Sequence, residues 1–290
     1  MALNPRSPSI RTASSSMSGD ESVQIREVWG YNLEYEFRLI ECAVVKYPYI
    51  AMDTEFPGVV LQYLGQGLTV QDYAYNNIKC NVDILKLIQL GLTFADGDGN
   101  LPVCSGGKKC VWQFNFREFD PKEDICASDS IAMLRNSGID FERHRRCGID
   151  RQKFGELLTS SGAILNNDVQ WVTFHSSYDF AYMIRLLTGK VLPDTLEEFR
   201  DLVAVFFPVL NDLKHIVRHC DGLHGGLSRI AEVLDVRRIG VSHQAGSDSL
   251  LTFRVFIKFN GGHLDGSVGK DAGTVYGFGG AKSNNVPKVT

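Results

Sequence analysis

The sequence predicts an α/β fold in which helices surround a mixed sheet within a single domain, and three patterns carry that expectation. Strand-like segments in the first half of the chain alternate apolar and polar residues. A further short segment, aromatic and β-branched, runs straight into a helical pattern. From Ser130 onward nearly every remaining segment has helical spacing, and several are closed by glycine. With 290 residues and 44% hydrophobic content, the chain can bury a full core.

Taken in order, residues 1–22 contain a serine- and proline-rich stretch without apolar periodicity and read as a disordered tail. Arg6 and Arg11, with no acid before Asp20, give this stretch the composition of a transit peptide, but it has no amphipathic stripe. The domain is expected over 23–282, followed by a flexible tail at 283–290. Leu33, Phe37, Ile40 and Val44 within "EVWGYNLEYEFRLIECAVVKY" have helical spacing, and "YIAMDTEF" then reads as a strand. In "LIQLGLTFAD", Ile88, Leu90, Leu92 and Phe94 alternate with Gln89, Gly91 and Thr93. After a glycine-rich link, Trp112, Phe114 and Phe116 alternate with Gln113 and Asn115, which completes a three-strand meander. Helices are expected at "SIAMLRNSG", "DRQKFGELLTSSG", "SYDFAYMIRLLTG", "TLEEFRDLVAVFF", "NDLKHIVRHC", "GLSRIAEVLDV" and "SDSLLTFRVFIKF". The strand "QWVTFHS", residues 170–176, interrupts them.

Composition narrows the function. The net charge of -4 lacks the broad basic footprint of a protein that grips nucleic acid unaided. The longest apolar run, "LVAVFFPVL", is too short to span a bilayer and contains a proline, so no membrane role is expected. Seven cysteines without a C-x-x-C pair argue against a disulfide framework or a zinc ribbon. Reduced thiols are the expectation, including Cys104 and Cys110 in "CSGGKKC", although that spacing also permits a bridge or a shared metal.

The chemistry-bearing candidates are acids. In a strand, Asp53 and Glu55 of "MDTEFPG" project from one face, and two neighbouring carboxylates need a cation or a donor unless they face water at an exposed strand end. Asp179 lies where the later strand turns into its helix, a place to reach across the end of a sheet or to complement a helix dipole. His243 and Asp248 are five residues apart, about 140° around a helix. They meet more easily if His243 lies on a loop and Asp248 in the first turn after Gly246. The alternative is that Ser247 or Asp248 simply caps the helix.

Together, Asp-x-Glu on a strand, Asp at a strand-to-helix turn and His-x4-Asp at a late helix start resemble the DEDDh branch of the DEDD 3'-5' exonucleases. In that superfamily a ribonuclease-H-like sheet gathers four carboxylates around two metal ions. The strings "AMDTEFPG", "CNVDILKLIQLGLTF", "WQFNF", "FHSSYDFAY", "VFFP", "DLKH" and "HQAGSDSLLT" resemble the Caf-one (Pop-two) deadenylase family. That resemblance implies metal ligands at Asp53, Glu55, Asp179 and Asp248, with Asp53 bridging two divalent cations, and a catalytic histidine at His243. The cation implied is Mg²⁺, with Mn²⁺ as the other candidate. It implies removal of nucleotides from the 3' end of poly(A) RNA with release of 5'-AMP. Its implied partners are the Ccr-Not scaffold and a second deadenylase, in the cytoplasm and nucleus. The alternatives are a general DEDDh exonuclease acting on RNA or DNA ends, or a catalytically weak scaffold subunit. Phe56 and Tyr178, beside the acids, are candidates to stack a terminal base, a contact worth about 1–3 kcal/mol. Val241-Ser242 and Asn211 depart from the family pattern of Pro-Gln and Tyr, and the 96–110 loop is longer than in many relatives.

Overall fold

A computed structural model describes residues 23–104, 106–220, 222–261 and 273–280. The tails expected at 1–22 and 283–290 lie outside the described residues. Strand β1 (Val23–Val28) and helix α1 (Leu33–Lys46) open the chain, followed by β2 (Tyr49–Glu55), α2 (Val70–Val82), β3 (Gln89–Ala95) and β4 (Lys109–Asn115). Three short helices come next, α3 (Ser128–Asn136), α4 (Phe141–Cys147) and α5 (Arg151–Ser160). Then follow β5 (Gln170–Thr173), α6 (Ser177–Thr188), α7 (Leu196–Phe206), β6 (Leu210–Asp212) and α8 (Leu213–Ile216). The rest comprises α9 (Leu227–Val233), α10 (Ala245–Phe259) and the small pair β7 (Thr274–Val275) and β8 (Gly279–Gly280).

The main sheet has six strands in the order β1-β4-β3-β2-β5-β6. The β4-β3-β2 meander is antiparallel, while β1 on β4, β5 on β2 and β6 on β5 are parallel. This is the mixed α/β sheet that the sequence predicts. Strand alternation sorts the core into two layers. Ile50, Met52, Leu90, Leu92, Phe94, Trp112 and Phe114 face one layer, packed with Phe37 of α1, Phe154 of α5, Phe180 of α6 and Phe199 of α7. Burying each large side chain contributes about 1.5–3 kcal/mol. Tyr49, Ala51, Val111 and Val172 face the other layer, under Leu250, Leu251 and Phe253 of α10.

The polar half of the alternation does not face water. Gln89, Thr93, Gln113 and Asn115 are all buried, because α10 lies across this face with small residues against the strands. Thr93 and Ser249 share a hydroxyl hydrogen bond of 3.0 Å. Gly91 permits the closest approach: a Cβ there would sit 1.9 Å from the Ala245 carbonyl oxygen.

Several elements differ from expectation. The first helix starts only at Leu33, because Val23–Val28 is drawn into the sheet as an edge strand beside β4. The expected helix at "NDLKHIVRHC" yields Asn211 and Asp212 to a strand paired with β5 and is reduced to the short α8 and a 3-10 turn at Val217–His219. Helices α2 and α4 were not anticipated. The thiol expectation also fails at one pair, since Cys104 and Cys110 form a disulfide with a Cα separation of 6.3 Å. The cause is local. Gly106 and Gly107 both take left-handed φ, and the chain folds back so that Cys104 N–H donates to Lys108 O at 3.0 Å. The other five cysteines are free. Among the described residues no helix is long and apolar enough to cross a membrane.

Candidate active site

Four acids converge at one end of the sheet. At the end of β2, alternation aims Asp53 and Glu55 toward α10 and leaves Thr54 facing α6. The Thr54 hydroxyl donates to Asp179 Oδ1 at 2.6 Å, tying the strand end to the first turn of α6. The β5-to-α6 turn is held by buried Asp212, whose carboxylate accepts from His175 N–H at 2.9 Å and from Ser176 N–H and Oγ–H at 3.1 Å each. His175 takes a left-handed φ of 60° within that turn. Asp212, Thr54 and Gly91 carried no functional reading in the sequence; their signal lies in contacts between segments that are distant along the chain.

Asp248 arrives from the other side, in the first turn of α10. Its helix starts at Ala245 and has no side-chain cap of its own. Two buried glutamines of the sheet serve instead: Gln89 Oε1 accepts from Ala245 N–H at 3.2 Å, and Gln113 Oε1 accepts from Gly246 N–H at 2.8 Å. Both glutamines donate to Gln244 Oε1, at 3.1 and 2.7 Å, and Gln244 Nε2 donates to Ser137 O at 2.9 Å. This amide lattice fixes the turn that carries His243, whose φ is 62°. His243 N–H donates to Asp248 Oδ2 at 2.9 Å, and its carbonyl accepts from Ser137 Oγ at 2.9 Å. Thus His243 lies on the loop and Asp248 in the first helical turn, while Asp248 Oδ1 takes an ion pair from Arg238 at 2.7 Å.

Carboxylate oxygens of Asp53, Glu55 and Asp248 lie within 4.8 Å of one another. Asp179 stands beside that trio rather than in it. Crowding shifts the acids strongly. Burial, then the Asp179, Asp248 and Glu55 charges, raises Asp53 well above the ordinary carboxylate range. Burial and the Asp248 and Asp179 charges push Glu55 up to about 8, against the pull of Arg238. Burial raises Asp179 to about 7, even though the Thr54 hydrogen bond favours its ionised form. A hard divalent cation relieves this repulsion, and an all-oxygen donor set of this kind suits Mg²⁺ or Mn²⁺. An exposed strand end does not describe Glu55, which is only 8% exposed.

Phe56 stacks on Tyr178 with ring centroids 5.1 Å apart and 19° between planes, and contacts Tyr182 at the same centroid distance. Phe56 and Tyr178 are both partly buried against the larger core.

Comparison with known proteins places this geometry in a family. A description of the CAF1 family of ribonucleases matches residues 28–161 and 151–256. The chain is 54% identical over 261 residues to the probable CCR4-associated factor 1 homolog 7 of Arabidopsis thaliana, covering 90% of this chain and 95% of that protein. It is 44% identical over 256 residues to the poly(A) ribonuclease pop2 of Schizosaccharomyces pombe, covering 88% of this chain and 75% of that protein. The solved S. pombe Pop2p structure with Mg²⁺ and Mn²⁺ bound superposes with a TM-score of 0.80 at 43% identity, covering 87% of this chain and 99% of that one. A yeast structure of the NOT1 MIF4G domain co-crystallised with CAF1 gives 0.68 at 33% identity, covering 82% and 88%. On its sequence and its fold, this chain belongs to the CAF1 family of ribonucleases.

Proposed function

We propose that the chain is a poly(A)-specific 3'-5' exoribonuclease that shortens mRNA tails and releases 5'-AMP. The observation that supports it most is the meeting of Asp53, Glu55 and Asp248 oxygens within 4.8 Å, beside Asp179 and with His243 bonded to Asp248 through its main chain. In this reading Asp53, Glu55 and Asp248, with Asp179 beside them, would hold divalent cations, for which Mg²⁺ suits an all-oxygen donor set. When bound, the cations supply charge for the scissile phosphate, an acidified water and the leaving 3' oxygen. The protein's own contribution is placement. The strand fixes Asp53 and Glu55, the Thr54 hydroxyl orients Asp179, and the Gln89–Gln113–Gln244 lattice fixes the loop from which the exposed His243 accepts the water's proton. Phe56 and Tyr178 are the proposed stacking surface for the terminal base.

Family membership further supports assembly into the Ccr-Not complex on its large scaffold, beside a second deadenylase, in cytoplasm and nucleus. A catalytic subunit of net charge -4 gains substrate affinity from such partners. Digestion of labelled A, U, C and mixed oligomers tests the substrate. Preferential trimming of the A oligomer from its 3' end is expected, and equal rates on all four would replace the proposal with a general exonuclease.

A further inference from the structure

Tyr182 has a second side. One face of its ring packs on Phe56, the residue after Glu55. The residue also lines a small cavity between α5, α6 and the segment ahead of β3, together with Lys86, Phe116, Glu118, Arg151 and Arg185. The interior space is about 30 Å³ and opens to solvent. That exceeds the roughly 10–15 Å³ a single water needs, and it accommodates one or two oxygens of a larger group whose remainder stays at the mouth.

Three observations point to the ligand. Tyr182 is only 3% exposed, yet its hydroxyl has no hydrogen-bond partner among the described residues. Leaving a buried hydroxyl unpaired costs about 1–3 kcal/mol, which phenylalanine would avoid. Arg185 is half-buried and, among the described residues, donates to the Val82 and Leu85 carbonyls and has no carboxylate within ion-pair distance, the Asp83 charge acting on it only from farther off. Arg151, at the first position of α5, likewise has no ion pair among the described residues, and its charge acts on that of Arg185. Tyr182 and Arg185 are three residues apart on α6, and both line the cavity. Lys86 is committed to Asp124 at 2.7 Å. Glu118, the one acid in the lining, is committed to the Arg151 main-chain N–H at 2.8 Å. Two guanidinium groups against one carboxylate leave the cleft a net positive charge.

We propose that this cleft is a phosphate subsite in which Arg151, Arg185 and the Tyr182 hydroxyl bind the oxygens of one phosphate group. A tetrahedral phosphate offers acceptors in the separate directions that two guanidinium forks and a phenol require, whereas a planar carboxylate offers two. The phosphate comes either from the RNA backbone or from a free phosphate. Only the first source rests on the ribonuclease reading above; the site itself does not.

Melting curves of the chelated protein test the site without any need for activity. Wild type, Arg151→Ala and Tyr182→Phe are compared in sodium phosphate and in sodium chloride of equal ionic strength. Phosphate also stabilises proteins by exclusion from their surface, so the readout is the saturable part of the rise in melting temperature. Wild type should show it and both variants should lose it. In chloride, Tyr182→Phe should melt no lower than wild type, because it removes an unpaired group. Identical phosphate responses in all three proteins would overturn the proposal. The source is then read from the salt dependence of kcat/KM on an A oligomer. A backbone contact predicts that Arg151→Ala lowers the slope against log salt by about 0.7. An unchanged slope alongside a lost phosphate response assigns the site to free phosphate.

Discussion

Metal-free protein should become less stable as pH rises from 6.5 to 8. Burial and neighbouring acids lift Glu55 from its ordinary 4.5 to about 8, so the folded chain keeps a proton there that the unfolded chain has already lost. Raising pH through this window strips a proton from the folded state alone, and the folded state loses its advantage. A single group with these two values gives a loss of about 2 kcal/mol between pH 6.5 and pH 8. For a chain of this size that is a fall in melting temperature of roughly 4 °C. Asp53 and Asp179 are shifted the same way, so the proton belongs to the cluster rather than to one side chain. The window starts at 6.5 for a reason. Burial lowers His144 to about 4 and also lowers His175, and below pH 6.5 the unfolded chain takes up protons that these folded imidazoles refuse. Stability from that source rises with pH and would mask the cluster. The assay is calorimetric melting in chelator at half-unit pH steps, with Glu55→Gln as the comparison and Mg²⁺ added back in a parallel series. Wild type should fall relative to Glu55→Gln, and Mg²⁺ should abolish the fall by holding the carboxylates ionised. Parallel curves for the two proteins in chelator would refute the electrostatic reasoning.

Gly91→Ala should damage activity more than stability. Its Cβ would meet the Ala245 carbonyl oxygen at 1.9 Å, and relief of such overpacking costs about 1–3 kcal/mol while shifting the turn that carries His243 and Asp248; melting and kcat measured together check the disparity. His243→Ala should lower kcat by about 10²–10⁴ at saturating Mg²⁺ with RNA affinity retained, the usual contribution of a general base; an unchanged kcat would return it to an ordinary loop residue. Chelator should stop the reaction, Mg²⁺ or Mn²⁺ should restore it, and circular dichroism should show the fold intact throughout, because the two core layers do not depend on the ions.

The acids were legible in the sequence because they obey local rules. Alternation alone placed Asp53 and Glu55 on one face; for His243 and Asp248 the spacing left two arrangements open, and the structure takes the one with His243 on a loop and Asp248 in the first helical turn. The meander was legible for the same reason, since its large apolar residues fall on every second position. What holds the acids was not legible. Gln89 and Gln113 looked like the polar side of half-exposed strands, but their amides cap a helix that begins about 130 to 155 residues later, and only the tertiary fold reveals that. Strand β6 has three residues, too few for a period, and Asp212 at its end reads equally as a helix cap, which it also is for α8. Helix α2 carries asparagines at 76, 77 and 81 and a weak apolar stripe. Its signal was Thr69 followed three residues later by Asp72, a capping pattern that the structure fulfils with a 3.1 Å bond from Asp72 N–H to Thr69 Oγ1. The Cys104–Cys110 pairing depended on two glycines folding a hairpin, which composition does not report.

Asp53 is the acid on which the charges of Asp179, Asp248 and Glu55 all act, and catalysis is expected to depend on it. A time course on 5'-labelled RNA ending in an A tail, resolved at single nucleotides, compares wild type with Asp53→Ala, the fold of each checked by its melting curve in chelator. Wild type is predicted to shorten the tail stepwise from the 3' end with release of 5'-AMP, and Asp53→Ala to leave it intact while melting no lower than wild type, since removal of one acid relieves repulsion in the cluster. Trimming by Asp53→Ala at the wild-type rate, or internal cleavage by either protein, would contradict it.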